Sequence, residues 1–137
     1  ERGVVAKSDQ AFLDANFAPW VLALNPTVTT LSDQGATLSI PITPDIARVG
    51  NIVSGQTLAA LADTAMVIGG CGSLEQMQPL ATTTLDTQFL RPATGTQIEA
   101  RAETIRAGKS MVFARCTLIA MPSGKPVAHA TATLMRP

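Results

Sequence analysis

Ser54-Gly55-Gln56-Thr57-Leu58-Ala59-Ala60-Leu61-Ala62-Asp63-Thr64-Ala65-Met66-Val67-Ile68-Gly69-Gly70 is the stretch from which the rest of the chain is read. It opens on a residue type that caps helices, runs on in small and apolar residues, and ends in the cluster Gly69-Gly70-Cys71-Gly72. That pattern predicts a buried helix from about Thr57 to Ile68, entered through Ser54-Gly55. Asp63 is the only charged residue between Arg48 and Glu75. A carboxylate in apolar surroundings must be paired, hydrogen-bonded or protonated. Its helical neighbours Ala59, Ala60, Met66 and Val67 can do none of this, so a partner must come from another element. Asp63 is therefore either a pin for a neighbouring segment or a residue with chemistry to perform.

The apolar run from Ile52 to Gly72 is long enough to suggest a membrane span, but the central Asp63 and the terminal glycines argue against one. Glu1-Arg2-Gly3 lacks the apolar core of a leader peptide, and the expectation is a cytosolic protein with no membrane partner. The 137 residues fit one domain, 1–137, with 46% apolar and only 15% charged residues. Ten basic residues balance ten acidic ones without a basic stripe, which argues against nucleic acid. Cys71 and Cys116 are too few and too distant for a disulfide framework or a zinc site, and read as reduced core thiols.

Before the helix, residues 8–24 predict a short helix capped by Ser8, with Phe12, Leu13 and Phe17 on one side and a stop near Pro19. Two strands follow, Pro26 to Leu31 and Ala36 to Ile42, joined by the turn Ser32-Asp33-Gln34-Gly35; a loop holds Pro44, Asp45 and Gly50. After the helix the period changes to two. Thr82 to Leu90, Gln97 to Arg106, Met111 to Met121 and Val127 to Met135 read as four hairpin-linked strands. Such segregated elements make an α+β fold with an antiparallel sheet. A single apolar helix beside meandering strands buries itself by being wrapped in the sheet, which is the hotdog arrangement.

Ser54-Gly55, seven residues and then Asp63-Thr64-Ala65 resemble the central-helix start of hotdog-fold acyl-CoA thioesterases of the phenylacetate-pathway type. Thr82-Thr83-Thr84-Leu85-Asp86-Thr87-Gln88-Phe89-Leu90-Arg91-Pro92-Ala93 and Arg106-Ala107-Gly108-Lys109-Ser110 are similar to two further segments of that family, so the likeness spans roughly residues 9–135. Where the family usually shows His-Gly-Gly, this chain has Ser54-Gly55-Gln56. The resemblance implies Asp63 as base or nucleophile, and a site shared across a homodimer or within a homotetramer. It implies Thr82 as the hydroxyl that holds the attacking water, with Thr83 or Thr84 as substitutes if the match slips. The family's polar amide about fifteen residues before the acid falls at Arg48, with Asn51 the nearby amide carried over in its place. Arg91, Arg106, Lys109 and Ser110 correspond to basic and polar turns that contact the phosphates of coenzyme A, although Arg91, Arg106 and Lys109 also read as ordinary surface charges. No cofactor is implied beyond coenzyme A as part of an acyl-CoA or acyl-carrier thioester substrate.

Thioester hydrolysis needs an activated nucleophile and donors for the oxyanion. Asp63 supplies the first, and the free N–H groups at Gly55 and Gln56, at the positive end of the helix, supply the second. Eight residues along one helix separate the two by roughly 12 Å, at about 1.5 Å per residue, so one carbonyl cannot touch both in one chain. Ser54 reads first as an N-cap; a Ser54 nucleophile paired with His129, the sole histidine, is the weaker alternative. Asp86 alternates with Thr84 and Gln88 and reads as part of a solvated strand face. Met66 and Met111 read as core or acyl-pocket lining. Two rival functions follow: a non-catalytic acyl-thioester binder, suggested by the missing histidine, and a hydratase or dehydratase, disfavoured because the helix carries no histidine.

Overall fold

The computed structural model describes residues 7–137, with side chains from Asp9 onward. Helices α1 (Lys7–Asn16) and α2 (Pro19–Leu22) precede strands β1 (Thr27–Ser32) and β2 (Gly35–Pro41). A 3-10 turn (Pro44–Ile46) leads into a small ribbon of β3 (Ala47–Arg48) and β4 (Ile52–Val53), then α3 (Gly55–Gly72). Strands β5 (Ala81–Phe89), β6 (Gln97–Ala107), β7 (Met111–Met121) and β8 (Lys125–Met135) complete the chain. The Ser8 side chain, expected as a cap, lies outside the described residues. Pro19 does not simply stop α1: it opens α2 at a first-turn position, where its missing N–H leaves no bond unmade.

Six strands form one antiparallel sheet in the order β1-β2-β6-β7-β8-β5. The side chains facing α3 are those that alternate inward along each strand. They are Leu38 and Ile40 on β2, Ile98 and Ala100 on β6, Val112, Cys116 and Leu118 on β7, and Ala128, Ala130 and Leu134 on β8. Alanines recur on the inner faces of β6 and β8, and their small side chains let the helix lie close to the sheet. Leu58, Leu61, Ala62, Ala65, Met66 and Ile68 of α3 pack into this concave surface. The sheet wrapped around one helix is the hotdog fold that the residue pattern predicts.

Two features depart from the sequence reading. The helix runs on to Gly72 instead of stopping near Ile68, because the glycine cluster is packed rather than flexible. A Cβ on Gly72 would lie 2.6 Å from the Ser32 carbonyl oxygen, so the last turn can approach β1 only as glycine. The four late strands are also not all hairpin-linked. The β6–β7 and β7–β8 connections are hairpins, but β5 pairs with β8, and the chain crosses from the sheet edge to its middle to begin β6. Gly95, at φ 123 and with no room for a Cβ beside the Met121 carbonyl oxygen, shapes that crossing. Strand β5 is thereby left as an edge with one bonded neighbour.

Candidate functional site

Helix α3 is buried on most sides, and its least covered residues fall together. Gly55, Gln56, Ala59, Ala60 and Asp63 are only partly buried or exposed, and their spacing puts them on one face of the first three turns. This open stripe begins at the helix start and ends at the carboxylate.

Ser54 caps the helix: its Oγ accepts from the Thr57 N–H at 3.2 Å and lies 2.8 Å from Thr57 Oγ1. The Ser54 N–H donates to the Ile46 carbonyl at 2.9 Å, and the Leu58 N–H to the Ser54 carbonyl at 3.2 Å. Among the described residues this leaves the N–H groups of Gly55 and Gln56 without an acceptor at the positive end of the helix. Gly55 also packs closely on β5: a Cβ there would lie 3.2 Å from Phe89 Cζ, so the ring would have to give by a few tenths of an ångström.

Thr82 Oγ1 donates to Asp63 Oδ1 at 2.6 Å, so the partner from another element is a β5 hydroxyl. Asp63 is half-buried rather than fully buried. Its carboxyl is held above its ordinary value of 3.8 by loss of solvent, partly opposed by the Thr82 hydrogen bond. Thr82 sits beside a bulge in the β5–β8 pairing. Thr83 instead donates to the Thr133 carbonyl at 3.0 Å, and Thr84 lies across from Thr133 on the outer face. Farther along the inner face of β5, the buried Thr87 Oγ1 has no hydrogen-bond partner among the described residues.

A cavity of about 280 Å³ opens at the helix start, lined by Ile52, Val53, Gly55, Leu58, Phe89, Leu90, Pro92, Ala93 and two arginines, Arg48 and Arg91. Asn51 is elsewhere. It occupies the β3–β4 turn in the left-handed region (φ 58) beside Gly50 (φ 89), and lines a separate cavity with Ile42, Thr43, Pro44, Ala47, Thr94 and Gly95. The Gly50-Asn51 pair is turn chemistry, which leaves Arg48, the residue at the expected spacing, as the one that reaches the helix-start cavity. Phe89 and Leu90 were passed over as site residues, although their positions at the end of β5 put them beside the helix start.

Arg106, Lys109 and Ser110 lie at the other end of the molecule, in and beside the β6–β7 hairpin. Arg136 Nη1 ties that hairpin through the Gly108 carbonyl at 3.2 Å, and the adjoining cavity is lined by Ser73, Leu74 and Glu75 after α3. An eighteen-residue helix spans roughly 27 Å at about 1.5 Å per residue. Arg91 is therefore not brought together with Arg106, Lys109 and Ser110 in one chain.

The remaining candidates fall into place as structural residues. His129 is on the outer sheet face between Gln88 and Thr117, while the Ser54 hydroxyl is engaged by Thr57, so the two do not meet. Asp86 is exposed opposite Thr131 on the same outer face. Met66 is fully buried core, and Met111 lies half-buried opposite Met135. Burial pushes the Cys71 and Cys116 thiols up to about 11 and about 12, which leaves neither as a nucleophile near neutral pH. No described helix is long and apolar enough to cross a membrane.

Comparison with known structures places this architecture. The chain is similar to a thioesterase family protein from Silicibacter pomeroyi, with 23% identity over 93% of this chain and 96% of that one and a TM-score of 0.81. It is similar to a protein from Pseudomonas aeruginosa at 26% identity, covering 94% and 96% of the two chains with a TM-score of 0.81. The Escherichia coli PaaI protein of the phenylacetic acid degradation operon matches at 21% identity, 94% and 93% coverage and a TM-score of 0.77. No curated protein matches the sequence. The family model described as the acyl-CoA thioesterase N-terminal domain matches residues 43–135, from before the β3–β4 ribbon to the end of β8. The chain belongs to that acyl-CoA thioesterase domain family, in the hotdog fold.

Proposed function

We propose that the protein hydrolyses an acyl thioester at a site built from the α3 start of one chain and Asp63 of a second. The observation that carries this reading is the open stripe on α3, with unsatisfied N–H groups at Gly55 and Gln56 and a hydroxyl-bonded carboxylate at Asp63. The two ends are roughly 12 Å apart along the helix, too far for one carbonyl. A second chain packed against the stripe brings a carboxylate to each helix start. The unpaired edge of β5, which borders the stripe through Phe89 and Thr82, suits such a contact.

In this mechanism the thioester carbonyl oxygen accepts from the Gly55 and Gln56 N–H groups. Asp63 takes a proton from water, the resulting hydroxide adds to the carbonyl carbon, and the negative charge collects on the oxygen facing the helix start. Collapse breaks the C–S bond, and the proton held by Asp63 passes to the departing thiolate, giving a free acid and a thiol. Thr82 gives its hydrogen to Asp63 and keeps lone pairs for the water. Direct attack by Asp63 to form an anhydride, later hydrolysed, uses the same groups. Arg106, Lys109 and Ser110 suit the phosphates of coenzyme A where the carrier crosses to the β6–β7 hairpin of a neighbouring chain.

One feature favours a second reading. Ser54 stands where the family usually shows histidine, and its hydroxyl is occupied by Thr57, so a protein that binds an acyl thioester without turning it over is the alternative. Subunit mixing separates the two. Asp63→Asn and Gly55→Pro chains are each expected to be inactive, and after random reassortment to recover about a quarter of wild-type hydrolysis, one intact site in each mixed dimer. Active wild type with no recovery on mixing contradicts the shared site, and inactive wild type that binds the ester stoichiometrically supports the binder.

A further inference from the structure

The cavity at the helix start is apolar over most of its lining, yet carries two guanidinium groups, from Arg48 on β3 and Arg91 after β5. Neither is ion-paired with a carboxylate among the described residues, whereas Arg101 and Arg115 on the outer face are held by Glu99 and Glu103 at 2.6 Å. Among the described residues the single hydrogen bond made by the Arg48 side chain is to the neighbouring Val49 carbonyl at 3.2 Å, which leaves most of its donors free. An apolar hollow rimmed by two such groups suits a ligand with a short hydrocarbon segment and an anionic end.

The position of the cavity at the helix start decides which anion that is. Gly55 lines the same cavity as both arginines, so an anion held by them lies close to a carbonyl held at the helix start. The phosphates of coenzyme A are separated from the thioester by the whole pantetheine arm and cannot fit in that interval. A carboxylate at the far end of a short acyl group can.

We propose that Arg48 and Arg91 make this site selective for thioesters of short dicarboxylic acids, holding the free carboxylate of an acyl group of roughly four to six carbons. This inference rests on the placement of the thioester carbonyl at Gly55 and Gln56 given above. It gives Arg91 a role in acyl selection in place of phosphate binding.

Binding of thioether analogues, which cannot be hydrolysed, tests it independently of turnover. S-carboxypropyl-coenzyme A and S-butyl-coenzyme A are titrated calorimetrically into wild type, Arg48→Ala, Arg91→Ala and Arg115→Ala, with melting curves to confirm folding. Wild type and Arg115→Ala are expected to bind the carboxylated analogue about tenfold more tightly than the butyl one. Arg48→Ala and Arg91→Ala are expected to lose that preference while keeping the butyl affinity. Equal affinities in wild type, or a preference that survives both substitutions, overturn the proposal. Equal weakening of both analogues in the two variants also overturns it, assigning the arginines to the nucleotide phosphates. Failure of both analogues to bind overturns it together with the thioesterase reading. A preference lost in both variants, with no hydrolysis of the matching ester, upholds the inference and removes only the hydrolase activity.

Discussion

Replacing Thr82 with valine removes one hydroxyl and changes little else, since the two side chains share a shape and β5 accepts β-branched residues. The loss is specific: the 2.6 Å hydrogen bond to Asp63 Oδ1, the only side-chain bond made to that carboxylate among the described residues. A hydrogen bond to a charged group contributes about 1.5–3 kcal/mol when well buried. Asp63 and Thr82 are both half-exposed, so about 1 kcal/mol is the appropriate expectation. For a chain of this length the unfolding entropy is about 0.3 kcal/mol per degree, which gives a fall in Tm of about 3–4 °C at neutral pH. The bond favours the ionised carboxylate, so its removal raises the Asp63 pKa further above the already elevated value. The stability loss is therefore full above that pKa and shrinks as pH falls through it. In the pH–rate profile of thioester hydrolysis the acid limb moves upward in Thr82→Val. Differential scanning fluorimetry across pH and initial-rate measurements read both effects. A Tm difference that is the same at neutral and acidic pH, with an unmoved acid limb, would refute the assignment of Thr82 to Asp63.

Further expectations follow from the same geometry. Asp63→Asn removes a carboxylate whose ionised form burial disfavours, so it melts higher than wild type at neutral pH. The difference is absent below 3.8, where the acid is neutral folded and unfolded, and it grows as pH rises through the raised folded value; melting curves from acid to neutral pH check the sign. Gly55→Pro removes one free N–H while keeping the helix, with the Phe89 ring giving by a few tenths of an ångström to the added Cβ. Proline fits a first helical position, and Ser54 is already extended at φ −63 and ψ 147 as a residue before proline requires. Circular dichroism should be unchanged and kcat should fall about 10²–10³-fold. An unchanged kcat in a folded variant would remove the helix start from the chemistry.

Much of the fold was legible because single residues constrain it tightly. The long apolar helix, the two-residue alternation of β6 to β8 and the turns at Gly35, Gly108 and Gly124 survive any plausible packing. The placement of β5 did not follow from sequence, because local alternation reports faces and not neighbours. Arg91-Pro92-Ala93-Thr94-Gly95 reads equally as a hairpin or a crossing, and its choice is made by pairing with β8, forty residues away. The end of α3 was misjudged for a related reason: glycines break helices unless a packed neighbour requires them, and Ser32 is distant in sequence.

At the site, Asp63 and its need for a partner outside the helix were visible, since helical spacing alone shows what cannot reach it. Arg48 is visible too, by its spacing from Asp63, but residue type alone favours Asn51. The turn that follows Arg48 and contains Asn51 sends one into the helix-start cavity and the other into a different hollow. The wide spacing between Arg91 and the Lys109 hairpin could be known only once both ends of α3 were placed.

The most direct test of the account is thiol release from a panel of short, long, aromatic and carboxylated acyl-CoAs, measured side by side on wild type and Asp63→Asn. The account predicts turnover by wild type that falls about 10²–10⁴-fold in the variant. Equal rates in the two proteins would contradict it.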